Sequence, residues 1–486
     1  MNRPVRHARP LRLAVLGLLA LAACPALAGP PEAQLPPPAP GITRLPHDVD
    51  ARQVAALVAS LSDADWNVRY DAQQRLAALG PDALPHLARA RRDLDDPHTH
   101  ATFDLIEQQI SEDLAQRGYP VHAEFHEADA VDAIREIARQ ARLELPQLQV
   151  DERRLQGVTI NGRIEGRTWW EALSALCAEH DLDARPMETS LRITRATEGA
   201  MPTLAGPIAT SGPVVILARG ARYERRVTID RAALTGTGST SGEPGGAIEA
   251  RFRYELEAML EPRFVVGSRR FSIVLTGARD DAGNMLLAGG AADGADLRRD
   301  LLAPGARLQL DDLMAASVSE ATVSGGRLRF EVDLEYPSAA GRRMSLSGRL
   351  RGLVGADLYD IDAEEIAMGE AMTWHIAGER VSARLEPSAA AGRWLLYVQS
   401  ARAVGPEIND LIVTSVGRAE LTDAVGDRFR RGAVHNNTGQ DGRLTCRVEF
   451  IGPADEAMRP HRLRCRLPRR AVDLDLPFQF DNLPMP

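Results

Sequence analysis

The sequence predicts a multidomain α+β chain: an N-terminal α-helical module, a small βαββαβ domain, and two antiparallel β-sandwich-like repeats. Three observations carry this. Apolar residues recur at three-and-four spacing from Val54 to Ile110, and again in two further segments before His180. Beyond Pro213 they alternate instead, in short runs broken by turn residues. Segments of this second half also recur at an offset of about 116 residues.

Residues 1–28 have the layout of an export signal. Arg3, Arg6, Arg9 and Arg12 form a basic start, Leu13 to Ala23 an apolar centre, and Ala26-Leu27-Ala28 a small-x-small cleavage site. The apolar run is shorter than the roughly twenty residues that span a bilayer. Leu21-Ala22-Ala23-Cys24 also resembles the lipobox of bacterial lipoproteins, in which the cysteine is lipidated, although Pro25 follows it. Two outcomes therefore stay open, cleavage after Ala28 or a lipid anchor on Cys24. Both place the chain in the periplasm or cell envelope, with membrane contact only through that anchor. Losing four arginines and no acid moves the formal charge from −9 to about −13, which argues against nucleic acid as a partner. The remaining length predicts roughly three or four domains. The chain has no lysine. Schiff-base catalysis, a pyridoxal anchor and a phosphate-loop lysine are excluded, and no cofactor is expected.

Residues 29–45 are proline-rich and predict a semi-rigid linker. Over 46–118, Val54, Leu57, Val58 and Leu61, then Val68, Ala72, Leu76 and Leu79, lie on helix faces, and Gly80-Pro81 stops the second helix. Leu84, Leu87, Phe103, Ile106 and Ile110 continue the pattern. The phrase from Ser62 to Ala72, with Leu79 to Pro85, resembles a HEAT-like helical repeat, and Leu94-Asp95-Asp96-Pro97 opens a degenerate second copy. The resemblance implies a small helical module, since about three copies are needed for a solenoid. Asp93, Asp95, Asp96, His98 and His100 offer metal donors, but Asp-Asp-Pro at a helix start is explained by capping with proline at the first helical position.

Over 119–196, Val121, Ala123 and Phe125 alternate, and Val131, Ile134, Ile137, Ala138 and Ala141 share a helix face. Leu148 and Val150, then Val158 and Ile160, predict short strands. Thr168-Trp169-Trp170-Glu171 is a capping box ahead of Leu173, Leu176 and Cys177, and Leu191 and Ile193 close the unit. This order, with Leu155 to Gly162 and Trp169 to Leu173, resembles the short N-terminal domain of bacterial secretins and TonB-dependent receptors. The resemblance implies a periplasmic protein-contact module with no catalytic residues to carry over, and envelope proteins as partners. It does not bring a pore with it, because the roughly ten-residue alternating segments of an outer-membrane barrel are missing.

Residues 197–213 predict a linker, 214–368 a first β-sandwich-like domain and 369–486 a second. Gly326 to Asp333 matches Gly442 to Glu449, Gly348 to Arg351 matches Cys465 to Pro468, and Asp357 to Ile361 matches Asp473 to Leu476. Leu260-Glu261-Pro262 and Leu385-Glu386-Pro387 form a further match, as do Asp281 to Asn284 and Asp423 to Asp427. Cys446 and Cys465 both take inward positions of alternating runs, at matching distances from the Gly452–Arg459 connection. That predicts a cross-strand disulfide in an oxidising compartment. Cys177, one turn after Leu173, predicts a buried apolar residue.

The remaining motifs are weak carriers of chemistry. Gly236 to Gly242 could cradle phosphate, but no helix follows, and a flexible loop explains it better. Asp357, Asp360, Asp362, Glu364 and Glu365 could bind calcium or act as paired acids; they lack the spacing and glycine of a calcium loop and fit an exposed strand edge. His122 and His126 share a strand face as two ligands would, but surface side chains explain them better. Asn436-Asn437-Thr438 forms a glycosylation sequon in residues that also suit a turn. Neither His-Glu-x-x-His nor Gly-x-Ser-x-Gly occurs. No catalytic, cofactor or metal residue is assigned. The expectation is an exported, non-enzymatic envelope protein acting by protein contact. The alternatives are an exported carbohydrate-binding protein or hydrolase using Asp357 to Glu365 or Asp423 to Asp427, and an accessory subunit of a secretion or uptake machine.

Overall fold

The computed structural model describes residues 37–45, 50–93, 96–143, 148–187, 190–197, 202–204, 206–229, 246–267, 271–287, 317–324, 327–336, 341–364, 368–390, 392–452 and 459–485. The export segment with Cys24, the Gly236–Gly242 loop, Asp95 and Glu365 lie outside the described residues. The chain is a mixed α+β protein, mostly strands in several antiparallel sheets, with most helices toward the N-terminus.

The expected linker contributes a strand. Ile42–Arg44 (β1) pairs antiparallel with Val121–Asp129, and buried Ile42 sits opposite Phe125, so one apolar residue at the right register docks the segment. Four helices follow: α1 (Ala51–Ser60), α2 (Trp66–Ala78), α3 (Leu84–Asp93) and α4 (Pro97–Arg117). Asp50 and Asp65 cap the first two by accepting the amides of Arg52 and Asn67. Val54, Val58, Leu76, Leu87, Phe103, Ile106 and Ile110 meet in one core, as their spacing predicts.

Next come β2 (Val121–Asp129), α5 (Ala130–Gln140), β3 (Leu148–Val150), α6 (Glu152–Leu155), β4 (Thr159–Arg167), α7 (Trp169–Glu179), β5 (Leu182–Pro186) and β6 (Leu191–Arg195). The predicted order is extended by α6, and β5 and β6 pair as the closing hairpin. The strands divide into two small sheets, β1-β2-β4 and β3-β6-β5. The capping box forms: the Glu171 amide donates to Thr168 Oγ1 at 3.4 Å, and the Thr168 amide donates to Glu171 Oε2 at 2.8 Å. Trp169 and Trp170 follow it into the core.

The second half holds β7 (Ile208–Ser211), β8 (Val214–Ile229), β9 (Gly246–Leu260), β10 (Val265–Val266), β11 (Ser272–Asp280), β12 (Ser317–Glu320), β13 (Thr322–Ser324), β14 (Arg327–Glu335), β15 (Arg343–Glu364), β16 (Met372–Ile376), β17 (Glu379–Pro387), β18 (Arg393–Ala403), α8 (Pro406–Val416), β19 (Glu420–Thr422), β20 (Arg430–Thr438), β21 (Arg443–Ile451) and β22 (Arg462–Pro484). The 197–213 segment is therefore docked in part, with β7 paired to β8 and Leu204 buried. Two five-stranded sheets, β13-β14-β9-β8-β7 and β20-β21-β18-β17-β16, have the same strand order. The matched sequence segments lie on equivalent strands, β14 with β21 and β15 with β22. The Leu-Glu-Pro match is the exception: it ends β9 in one unit and β17 in the other, which are not equivalent.

The expected boundary between residues 368 and 369 does not separate two sheets. β15 and β22 pair antiparallel from Glu364 opposite Arg462 to Arg343 opposite Pro484, forming the centre of a sheet ordered β12-β11-β15-β22-β19. One half of this ribbon, with Leu346, Leu350, Val354, Leu476 and Phe480, shares a core with the first five-stranded sheet. The other half, with Leu463, Cys465 and Leu467, shares a core with the second sheet and α8. Gly352 makes the first contact feasible, since a Cβ there would lie 2.3 Å from the Phe271 ring. The Val214-Val215-Ile216-Leu217 run of β8 is buried on both faces: Val214 and Ile216 join the core with the shared sheet, Val215 and Leu217 the core of the 119–196 segment.

The predicted disulfide is not formed. Cys446 lies on β21, between β18 and β20, whereas Cys465 lies on β22 in the shared sheet, so they are not cross-strand neighbours. Both face the same core, as alternation predicts, and both are free thiols. The Cys465 thiol lies 3.7 Å from the Ser415 carbonyl.

Candidate functional site

The acids from Asp357 to Glu364 are the strongest candidate from sequence, and the structure places them on the β15 segment that pairs with β22 on one side and with no described strand on the other. Alternation puts Asp360, Asp362 and Glu364 on one face, and the same period in β22 puts Arg462, Arg464 and Arg466 opposite them. Arg466 clamps Asp360 through two hydrogen bonds, of 2.8 and 3.0 Å. Arg462 holds Asp362 through Nε and Nη2 and reaches Glu364 with Nη1 at 3.4 Å; Arg464 Nε adds a bond to Asp362 at 3.3 Å. Asp357, with a positive φ of 54°, pairs with Arg470. The arginine bonds hold the Asp360 and Asp362 carboxyls below the usual carboxylate range. Both stay ionised as acid is added until the pH falls below the ordinary value, so neither is poised to donate a proton near neutrality.

A cleft of about 470 Å³ opens beside this ladder, with Phe264, Val265, Leu358 and Cys465 on its apolar side and Asp360, Asp362, Arg464 and Arg466 on its charged side. A second cleft, of about 790 Å³, lies at the matched place in the other half of the shared sheet and is lined by Thr276, Ser347, Arg349, Phe478 and Gln479. Arg349, which matches Arg466 in the sequence repeat, bonds Asp475 at 2.6 Å, although that acid lies opposite Arg351. The missed signal in the sequence was the arginine at every second position from Arg462 to Arg466.

No protein-family model matches the chain, and no curated protein matches its sequence. The site must be weighed on its own geometry.

The other candidates do not converge. The His122 Nδ1 accepts the Gly166 amide at 3.3 Å, while His126 lies 3.5 Å from Glu124, beyond a β-bulge that follows Phe125. Asp96 caps α4, accepting from the Thr99 amide and hydroxyl at 3.1 and 2.6 Å. The side chains of Asp93 and His98 are outside the described residues. Among the described residues, no three His, Cys, Asp or Glu side chains stand close enough together to hold one metal ion. Asp423 Oδ1 accepts the amides of Val425, Gly426 and Asp427, at 2.8 to 2.9 Å, and so shapes a turn. Asn436, Asn437 and Thr438 lie on the exposed edge strand β20 rather than in a turn. Burial pushes the Cys177 thiol up to about 12 and the Cys446 thiol up to about 11, so both are protonated at neutral pH.

One exposed feature is also unusual. Trp66 and Tyr70 open α2, 61% and 48% exposed, with their rings stacked 5.1 Å apart. Large aromatic surface of this kind is enriched where proteins meet.

Proposed function

We propose that this chain is an exported, non-enzymatic envelope protein that works by contact with other envelope proteins. The observation that carries this is the arginine ladder. A hydrolase needs one carboxyl able to donate a proton, and in the acid cluster Asp360 and Asp362 are each bonded by a guanidinium that favours the ionised form. The resemblances of 46–118 to HEAT-like repeats and of 119–196 to the secretin and TonB-receptor domain, together with the export signal, support the same reading. The stacked Trp66 and Tyr70 offer a contact point.

The test is affinity purification of the tagged mature chain from envelope fractions, beside a glycan-hydrolysis assay. A defined partner retained by the wild type and lost with W66A/Y70A is the expected outcome. Hydrolysis by the wild type that Asp360→Asn abolishes would overturn the proposal in favour of a hydrolase.

A further inference from the structure

The outer face of the β20-β21-β18-β17-β16 sheet carries two rows of polar side chains. Register places Arg384, Tyr397, Arg447 and His435 in one row across four strands: Arg384 opposite Tyr397, Tyr397 opposite Arg447, and Arg447 opposite His435. Beside it runs a neutral row, Ser382, Gln399, Thr445 and Asn437, again direct cross-strand neighbours. At a strand spacing of about 4.8 Å, each row spans roughly 14 Å.

The equivalent face of the first sheet is built differently. Val215, Leu217 and Met259 lie there under the 119–196 segment and belong to its core. Where β8 has Leu217, β17 has exposed Ser382, and among the described residues no element packs over the second face.

The charge pattern has diverged too. The counterpart of Arg447 on β14 is Glu331, which pairs with Arg253 at 3.0 Å. In the second unit the sign is reversed, and the place of Arg253 is taken by Leu395. Arg447 makes no close ion pair among the described residues, although its charge still acts on Glu449 two residues along the strand. Its Nε is sealed from solvent and has no acceptor. Glu449, on the same strand and face, is held by Arg393 at 2.7 Å, and Glu386 by Arg384 at 3.0 Å. The rest of the Arg447 side chain is half-exposed, and an anion arriving from outside can meet the guanidinium there, where charge-assisted hydrogen bonds are strong.

We propose that this face binds an acidic polysaccharide. A sugar carboxylate takes Arg447, beside Tyr397 and His435, and hydroxyls are held by the Ser382, Gln399, Thr445 and Asn437 row. A sheet face with a row carrying two arginines and a parallel neutral hydrogen-bonding row suits a chain that alternates carboxylates and hydroxyls. An extended peptide would instead add at a sheet edge. This site does not depend on the protein-contact role proposed above.

The test is titration of the full mature chain with polygalacturonate, with dextran and polyglutamate as comparison polymers. The expected result is saturable binding to polygalacturonate that weakens with salt, and little binding to either comparison polymer. Arg447→Gln should lower affinity about tenfold or more, and the exposed His435→Ala, which leaves the core untouched, should lower it in the same direction with an unchanged melting curve. Equal binding of dextran, equal binding of polyglutamate, or polygalacturonate binding that neither substitution weakens would each overturn the proposal.

Discussion

Replacing Trp170 with alanine should lower the unfolding free energy by about 3–5 kcal/mol, the range for truncating a large buried aromatic residue. Trp170 is 1% exposed and packs against Trp169 with ring centroids 6.5 Å apart. Its indole N–H donates to the Pro213 carbonyl at 3.0 Å, joining α7 to the start of β8. That carbonyl also accepts the Glu261 amide at 2.9 Å, so the substitution leaves it one partner, and most of the loss is cavity. Trp66→Ala, at a largely exposed position, should change stability by no more than about 0.5 kcal/mol. Urea midpoints followed by fluorescence check both. Equal shifts for the two variants would contradict the packing described.

A smaller side chain should have the next largest effect. Gly212 sits at a φ of 51° where β7 turns into β8, and a Cβ there would lie 2.0 Å from the Gln116 carbonyl oxygen at the end of α4. Gly212→Ala must therefore adopt a left-handed backbone, which costs about 1–2 kcal/mol, and must displace α4, which adds about 1–3 kcal/mol of overpacking. Several contacts move with that helix end. Gln116 donates to the Asp473 carbonyl on β22, and Arg263 donates to the Leu114 carbonyl at 3.0 Å while lying 4.8 Å from the Tyr119 ring centre. Hydrogen exchange should rise in Ala101–Gly118 more than in β14 or β21. A uniform rise across the chain would show that this junction does not hold the helices in place.

Short-range chemistry made part of this fold legible. The Thr168–Glu171 box, the Asp96-Pro97 helix start and the spacing of Phe103, Ile106 and Ile110 each specify local structure through neighbours a few residues away. The α8 helix was missed among strands, although Gly405-Pro406 opens it and Leu411, Ile412, Ser415 and Val416 bury one face. Alternation showed that Cys446 and Cys465 point inward, but not that facing sheets supply them. Likewise, Val214 to Leu217 reads as a strand, while its burial between two layers depends on partners far along the chain. The acid cluster was visible at Asp357 to Glu364. Its meaning came from Arg462, Arg464, Arg466 and Arg470, about a hundred residues later, where only pairing of β15 with β22 brings the charges together.

That pairing is what makes the two β units one body presenting fixed surfaces, and cutting the chain between them tests it most directly. A protease site inserted between Glu364 and Met372, cleaved in the folded protein, should leave the two pieces together on gel filtration in native buffer and separate them only in denaturant. Pieces that part in native buffer, each retaining its own cooperative unfolding transition, would contradict a sheet shared through β15 and β22.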